Sequence, residues 1–398
     1  MEVNRNTKAK GLENIGATCY MNAVLQCFFH VKPLTNELLK YNTFPGMFMT
    51  NAFKDVISQL ASNSSYPAKP ELFKSVISQN PLFTGIQAND SKDLVLYFLE
   101  NIERELSIKN FFCNEVKYLN RIKNINIDPY DRKNAPLMNI INAFHNEHKS
   151  IISDLFYGFM SQEIQCNICH ESILNYTIFN LIIFPIQAVY ESANQTENES
   201  LSLSKNTTGR RNPYTSNSEY GSFTKPSFYN GYTDYSSNNR NRNNSYNYNR
   251  TGKKSVTLYE CFDREIQDFS FEKENKIFCN NCRRLVDAKS KNKIYCSPHV
   301  LILVLNRGKG NQFDCDVEFE EKIDISKYIE KKDCPLKYNL IGVISHFGES
   351  SMNGHFIADC KHFDGKWYSF SDSSVTGPSS FYSKRGTPYI LFYQNSQL

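Results

Sequence analysis

Residues 11–22, GLENIGATCYMN, put a thiol, Cys19, where a glycine-containing stretch gives way to a run with helical spacing. The positive end of a helix lowers a thiol pKa from its free value of about 8.5, so more of the reactive thiolate is present at neutral pH. The first backbone N–H groups of such a helix lack intrahelical partners and are able to hold an oxyanion. Asn14, five residues upstream, offers a side-chain amide to the same hole if the loop folds back over the thiol. A lone cysteine is more often buried filler, so Cys19 gains meaning only with a base beside it.

A thiol nucleophile needs an imidazole that takes its proton and later returns one to the leaving amine. Among eight histidines, His355 has the best setting: Gly354 before it permits close approach, and Phe356 opens an alternating strand that runs to Lys361. His346 stands one strand earlier and reads as a hydrogen-bonded structural neighbour. His30, His145, His148, His170, His299 and His362 lack such a setting and read as ordinary surface or strand residues. An acceptor must also fix the imidazole tautomer, and Ser371 and Asp372 follow in the run from Trp367 to Ser373. Adjacent side chains on a strand point to opposite faces, so the two are not interchangeable.

Two C-x2-C pairs, Cys166 with Cys169 and Cys279 with Cys282, supply four soft thiolates. That set suits one tetrahedral zinc ion with no open position, a structural rather than catalytic site. The pairs are far apart in sequence, but most of the intervening chain, residues 191–254, is rich in Asn, Ser, Tyr, Thr and Arg and nearly devoid of aliphatic residues. Such a segment buries no core and reads as a disordered insertion, and loop closure cost grows only logarithmically with its length.

The elements around these residues divide in two. Helical spacing recurs over 19–40, where one face is expected to be buried, and again over 54–60, 72–77 and 94–106. Beyond residue 161, β-branched and aromatic alternation predicts strands at 176–186, 293–305, 338–346, 355–361 and 389–393. Helices first and antiparallel strands afterwards give an α+β fold with a cleft between the blocks. The 398 residues are 40% hydrophobic and 14% aromatic, as for a globular chain, and a net charge of +4 is too mild for a nucleic-acid stripe. The longest apolar runs, 178–186 and 300–305, fall short of the roughly 20 residues that cross a bilayer. Residues 1–10 are polar and basic, a short tail without an export signal, so the twelve cysteines are read as thiols and metal ligands in a reducing, intracellular setting.

The string at 11–22 resembles the cysteine box of the ubiquitin-specific proteases, papain-like deubiquitinases. The stretches 338–348, 354–356 and 367–373 resemble that family's histidine box, and 89–94 its glutamine-aspartate box. Similar segments at 156–158, 301–307 and 389–393 extend the likeness over most of the chain, the exceptions being the insertion and the stretch around 110–137. The resemblance implies a papain-like cysteine protease fold with a helical thumb, a β-sheet palm and zinc-ribbon β fingers that grip ubiquitin. It implies one catalytic domain over 11–398, acting as a monomer on ubiquitin and ubiquitinated proteins, with no nucleic-acid partner. Cys19 becomes the nucleophile, His355 the base, and Asp90 and Asp93 the carboxylates that meet the basic C-terminal tail of ubiquitin. Three departures stand out. Ala17 replaces a usual Asn, at the expected cost of one local hydrogen bond. Lys92 and Asp93 replace a usual Gln and Glu. Ser371 takes the place of the usual Asp or Asn, which moves the orienting role to Asp372, with Ser371 assisting or acting through water. These departures leave open a weakened, ubiquitin-binding pseudoprotease or a protease for a ubiquitin-like modifier.

Overall fold

The computed structural model describes residues 2–107, 135–148, 150–194, 255–308, 313–350, 353–382 and 384–398. From residue 195 onward the expected disordered insertion lies outside the described residues, as does the stretch 108–134.

The first block is helical: α1 (Cys19–Phe29), α2 (Lys32–Lys40), α3 (Phe48–Ala61), α4 (Glu71–Ile77) and α5 (Ser91–Leu106). The helix expected over 19–40 breaks after α1, because Pro33 fits the first turn of a new helix but interrupts an ongoing one. Every residue of α1 is buried, against the expectation of a single buried face. The helix has α5 on one side and the sheet on the other, and even its polar residues Asn22 and Gln26 are buried, with hydrogen bonds to Asp372 and the Lys10 carbonyl. Phe28 shows why: its ring meets Phe98 at 4.5 Å, Phe392 at 5.4 Å and Phe156 at 5.6 Å between centroids.

The second block is a palm-like sheet. Its strands lie in the order Ser374–Ser379, Trp367–Ser371, Asn353–Lys361, Lys337–Ser350, Thr387–Asn395, Val300–Asn306 and Ile182–Pro185, with Lys322–Asp324 on the side of Lys337–Ser350. The apolar run predicted at 300–305 is buried along its whole length, as a central strand covered on both faces requires. A separate four-stranded sheet, Ser172–Phe179, Gly158–Cys166, Ala288–Cys296 and Phe269–Phe271, reaches away from the palm, with a hairpin of Ile277–Cys279 and Arg284–Val286 beside its far end.

Two further findings depart from the sequence reading. Residues 2–10 are docked rather than a loose tail: Val3 is buried, its N–H donates to Asn36 Oδ1 at 2.8 Å, and Lys10 Nζ donates to the Gln59 carbonyl at 2.6 Å. Cys296 and Cys334 form a disulfide, so not all cysteines are thiols or metal ligands. No helix among the described residues is long and apolar enough to cross a membrane.

Candidate active site and cysteine cluster

Cys19 is the first residue of α1, and the loop before it is shaped by one side chain. Asn14 Oδ1 accepts from the Gly16 N–H at 3.1 Å and the Thr18 N–H at 3.2 Å, closing the turn that delivers the thiol. Ala17 sits in that turn at φ 44°, left-handed backbone that Asn adopts more readily than Ala, so the departure at this position costs conformational energy rather than only a hydrogen bond.

His355 lies near the start of its strand, opposite Phe347 in the ladder with Lys337–Ser350. Gly354 is required there: a Cβ would lie 2.2 Å from His346 Nε2 and 2.3 Å from the Phe347 carbonyl oxygen. His346 itself is buried, its Nε2 has no hydrogen-bond partner among the described residues, and its ring packs on Phe356 at 4.7 Å. His355 Nε2 is 2.8 Å from Ser371 Oγ. Among the described residues, no hydrogen bond joins Cys19 Sγ to His355.

His355 thus contacts Ser371, whereas the sequence reading placed the orienting role on Asp372 with Ser371 assisting or acting through water. Ser371 ends a strand, whereas Asp372 stands in the following turn at φ 51°, so its side chain leaves the alternation of the strand. Its carboxylate accepts from Asn14 Nδ2 at 2.8 Å and from Asn22 Nδ2 at 2.7 Å. The backbone is joined as well, since the Leu12 N–H donates to the Asp372 carbonyl at 2.9 Å, and a Cβ on Gly11 would lie 2.4 Å from that oxygen. Asn22 escaped the sequence reading, although it closes the same string as Cys19.

Burial raises the Cys19 thiol pKa, opposed by the Phe356 backbone N–H, and the Asp372 charge raises it further. Burial, the larger effect, thus opposes the lowering that the sequence leads one to expect from the helix end.

Asp90 caps α5 by accepting from the Lys92 N–H at 2.8 Å, and both of its oxygens accept from the Tyr389 hydroxyl, at 2.7 and 2.8 Å. Burial raises its pKa. Asp93 pairs with Lys92 Nζ at 3.1 Å. Both carboxylates expected to meet a basic tail thus have partners within the chain.

Cys166, Cys169, Cys279 and Cys282 bring their sulfurs within 4.8 Å of one another. Cys166 and Cys282 are 3.8 Å apart at sulfur, and Cys169 and Cys279 are 3.6 Å apart. Zn–S bonds of about 2.3 Å place sulfurs of a tetrahedron about 3.8 Å apart, so the four fit a closed zinc site. The two turns are alike: backbone N–H groups donate to Cys166 Sγ and Cys279 Sγ, and His170 and Arg283, each just after the second cysteine, take positive φ.

The pattern of one family, described as ubiquitin carboxyl-terminal hydrolase, matches residues 10–393. The chain belongs to the ubiquitin carboxyl-terminal hydrolase family. It is 24% identical to ubiquitin carboxyl-terminal hydrolase 10 of Saccharomyces cerevisiae over 93% of this chain and 45% of the yeast protein. It is 23% identical to ubiquitin carboxyl-terminal hydrolase 21 of Homo sapiens over 97% of this chain and 61% of the human protein. The chain thus spans about half the length of the curated relatives it matches. A solved structure of the SAGA Ubp8/Sgf11/Sus1/Sgf73 DUB module bound to ubiquitin aldehyde aligns with a TM-score of 0.62 and 20% identity, covering 100% of this chain and 71% of that one. The fold is α+β, the papain-like arrangement of helical thumb, β palm and fingers that the family resemblance implied. Within this hydrolase-family chain, Tyr389 is a second residue whose place in the site the strand pattern did not reveal.

Proposed function

We propose that this chain is a deubiquitinating cysteine protease that hydrolyses the isopeptide or peptide bond after the C-terminal Gly-Gly of ubiquitin. The observation that carries the reading is Cys19 at the head of a buried helix, with the His355–Ser371 contact and the Asn14–Asp372 contact converging beside it. His355 Nδ1 takes the Cys19 proton while Nε2–H donates to Ser371 Oγ. The thiolate attacks the Gly carbonyl carbon, and the electron pair moves to the carbonyl oxygen. That oxyanion meets the backbone N–H groups at the start of α1 and the second Asn14 N–H, the first being held by Asp372. Collapse expels the lysine amine with the proton from His355, leaving a thioester on Cys19, and water then releases ubiquitin through the same groups in reverse.

Cys166, Cys169, Cys279 and Cys282 would hold one zinc ion, which supplies a structural clamp and no step of the reaction. Residues 11–398 act as one catalytic domain on ubiquitin and ubiquitinated proteins. Asp90 and Asp93 meet the arginines of the ubiquitin tail by exchanging Tyr389 and Lys92 for them. That exchange motivates a second reading, a protease for a ubiquitin-like modifier with a less basic tail. A fluorogenic amide of ubiquitin tests the proposal: turnover that disappears in Cys19→Ala and His355→Ala supports it. Turnover of a ubiquitin-like amide alone moves the assignment to the second reading, and binding of ubiquitin without turnover makes the chain a pseudoprotease.

A further inference from the structure

The first turn of α5 is wedged between the neighbours of the catalytic pair. On one side Asn89 Nδ2 donates to the Tyr20 hydroxyl at 3.5 Å and Ser91 Oγ donates to the Tyr20 carbonyl at 3.3 Å, and Tyr20 directly follows Cys19. On the other side the Tyr389 hydroxyl bonds Asp90, and the Tyr389 ring packs at 6.2 Å on Phe356, which directly follows His355. A substrate chain laid between helices and palm with its scissile carbonyl at Cys19 therefore runs past this turn.

Three charged side chains stand there. Asp90 and Asp93 are three residues apart and share one side of the helix. Burial, the bonded Asp90 carboxylate and the Asp93 charge together push the Tyr389 hydroxyl pKa up, so both carboxylates act towards the palm. They differ in what they leave for a ligand. Asp90 accepts from the Lys92 N–H and the Tyr389 hydroxyl, neutral donors that do not cancel its charge. Asp93 is matched by a full opposite charge, Lys92 Nζ at 3.1 Å, in a pair whose side chains are 24% and 35% exposed. An arginine arriving beside Asp93 has to displace that ammonium and is repelled by it at close range. A neutral residue arriving there leaves the pair intact.

Resting on the reading of these carboxylates as the contact for a modifier tail, we propose that Lys92 is a specificity-determining residue: it occupies Asp93 as an internal cation and so favours tails with a neutral residue in place of the arginine that would meet Asp93. The enzyme then accepts ubiquitin as one substrate among modifiers and draws little of its affinity from that arginine.

Steady-state kinetics of the full chain and of Lys92→Gln test this on fluorogenic amides of ubiquitin and of ubiquitins whose tail arginines are replaced singly by alanine. For the wild-type chain, at least one arginine-to-alanine change is expected to alter kcat/KM by less than about twofold or to raise it. Lys92→Gln frees Asp93, so kcat/KM for unaltered ubiquitin is expected to rise about fivefold through KM, and the same tail change is then expected to cost about fivefold. Added salt should raise the ubiquitin KM of the variant more steeply than that of the wild type. Identical ratios among the amides in wild type and Lys92→Gln overturn the proposal and leave the deubiquitinase reading standing. A lower kcat/KM for ubiquitin in Lys92→Gln overturns it as well. A wild-type chain that turns over none of the amides removes the underlying reading and the proposal together.

Discussion

In the proposed mechanism the partner of His355 is the Ser371 hydroxyl, which stabilises an imidazolium less than a carboxylate does. Ser371→Asp is accordingly expected to raise kcat about tenfold and Ser371→Ala to lower it, with KM little changed; steady-state kinetics on a ubiquitin amide checks both. Asp372 does different work. Asp372→Ala releases Asn14 and Asn22 and is expected to lower kcat by about a hundredfold, the loss typical of one oxyanion donor, and to leave His355 in place. An unchanged kcat would show that Asn14 needs no anchor. Burial raises the Cys19 pKa, so thiolate is scarce at neutral pH and accumulates as pH climbs. Alkylation of Cys19 by iodoacetamide should therefore be slower than that of a free cysteine at pH about 7 and still be rising above about 8.5. A rate already at its plateau below about pH 6 contradicts this. At this scale Cys19 and His355 stood out because their neighbours form long, specific strings, and the structure places them at the head of α1 and near the start of the adjoining strand. The division between Ser371 and Asp372 was not legible, since it depends on a positive φ at Asp372 that alternation along a strand does not reveal.

The elements bring the two strings together through backbone, and Gly11 is where they touch. Gly11→Ala would drive a Cβ into the Asp372 carbonyl and Ser373, rigid backbone that cannot step aside. A loss of about 1–3 kcal/mol in stability, with lower activity in the folded fraction, is expected from denaturant melts. The four thiolates at the hairpin tips would close one zinc site, so Cys279→Ser is expected to lose close to one zinc per chain and to lower Tm. Metal analysis showing full zinc content in that variant sinks the four-thiolate assignment. The central strand at 300–305 was readable from its apolar run and the two knuckles from their spacing. The break between α1 and α2 lay in Pro33, and the full burial of α1 lay in packing from both sides, which periodicity along one helix does not report.

Across the whole molecule, the Asp90–Tyr389 contact ties the start of α5 to the strand Thr387–Asn395, bridging the helical block and the palm beside the cleft. Tyr389→Phe leaves a buried carboxylate short of a donor and is expected to cost about 1–3 kcal/mol, read as a lower Tm. The two-block architecture followed from helices preceding strands. The docking of residues 2–10 did not, because the line from His30 through His362 to Thr7 joins residues that nothing in the local sequence connects. The central claim, a ubiquitin-directed thiol at Cys19, meets its most direct test in the reaction of the purified chain with an electrophile on the ubiquitin C-terminus, followed by intact mass. One covalent ubiquitin adduct that disappears in Cys19→Ala and persists, more slowly formed, in Asp372→Ala is the predicted result. A wild-type chain that binds ubiquitin yet forms no adduct, or an adduct that survives Cys19→Ala, contradicts it.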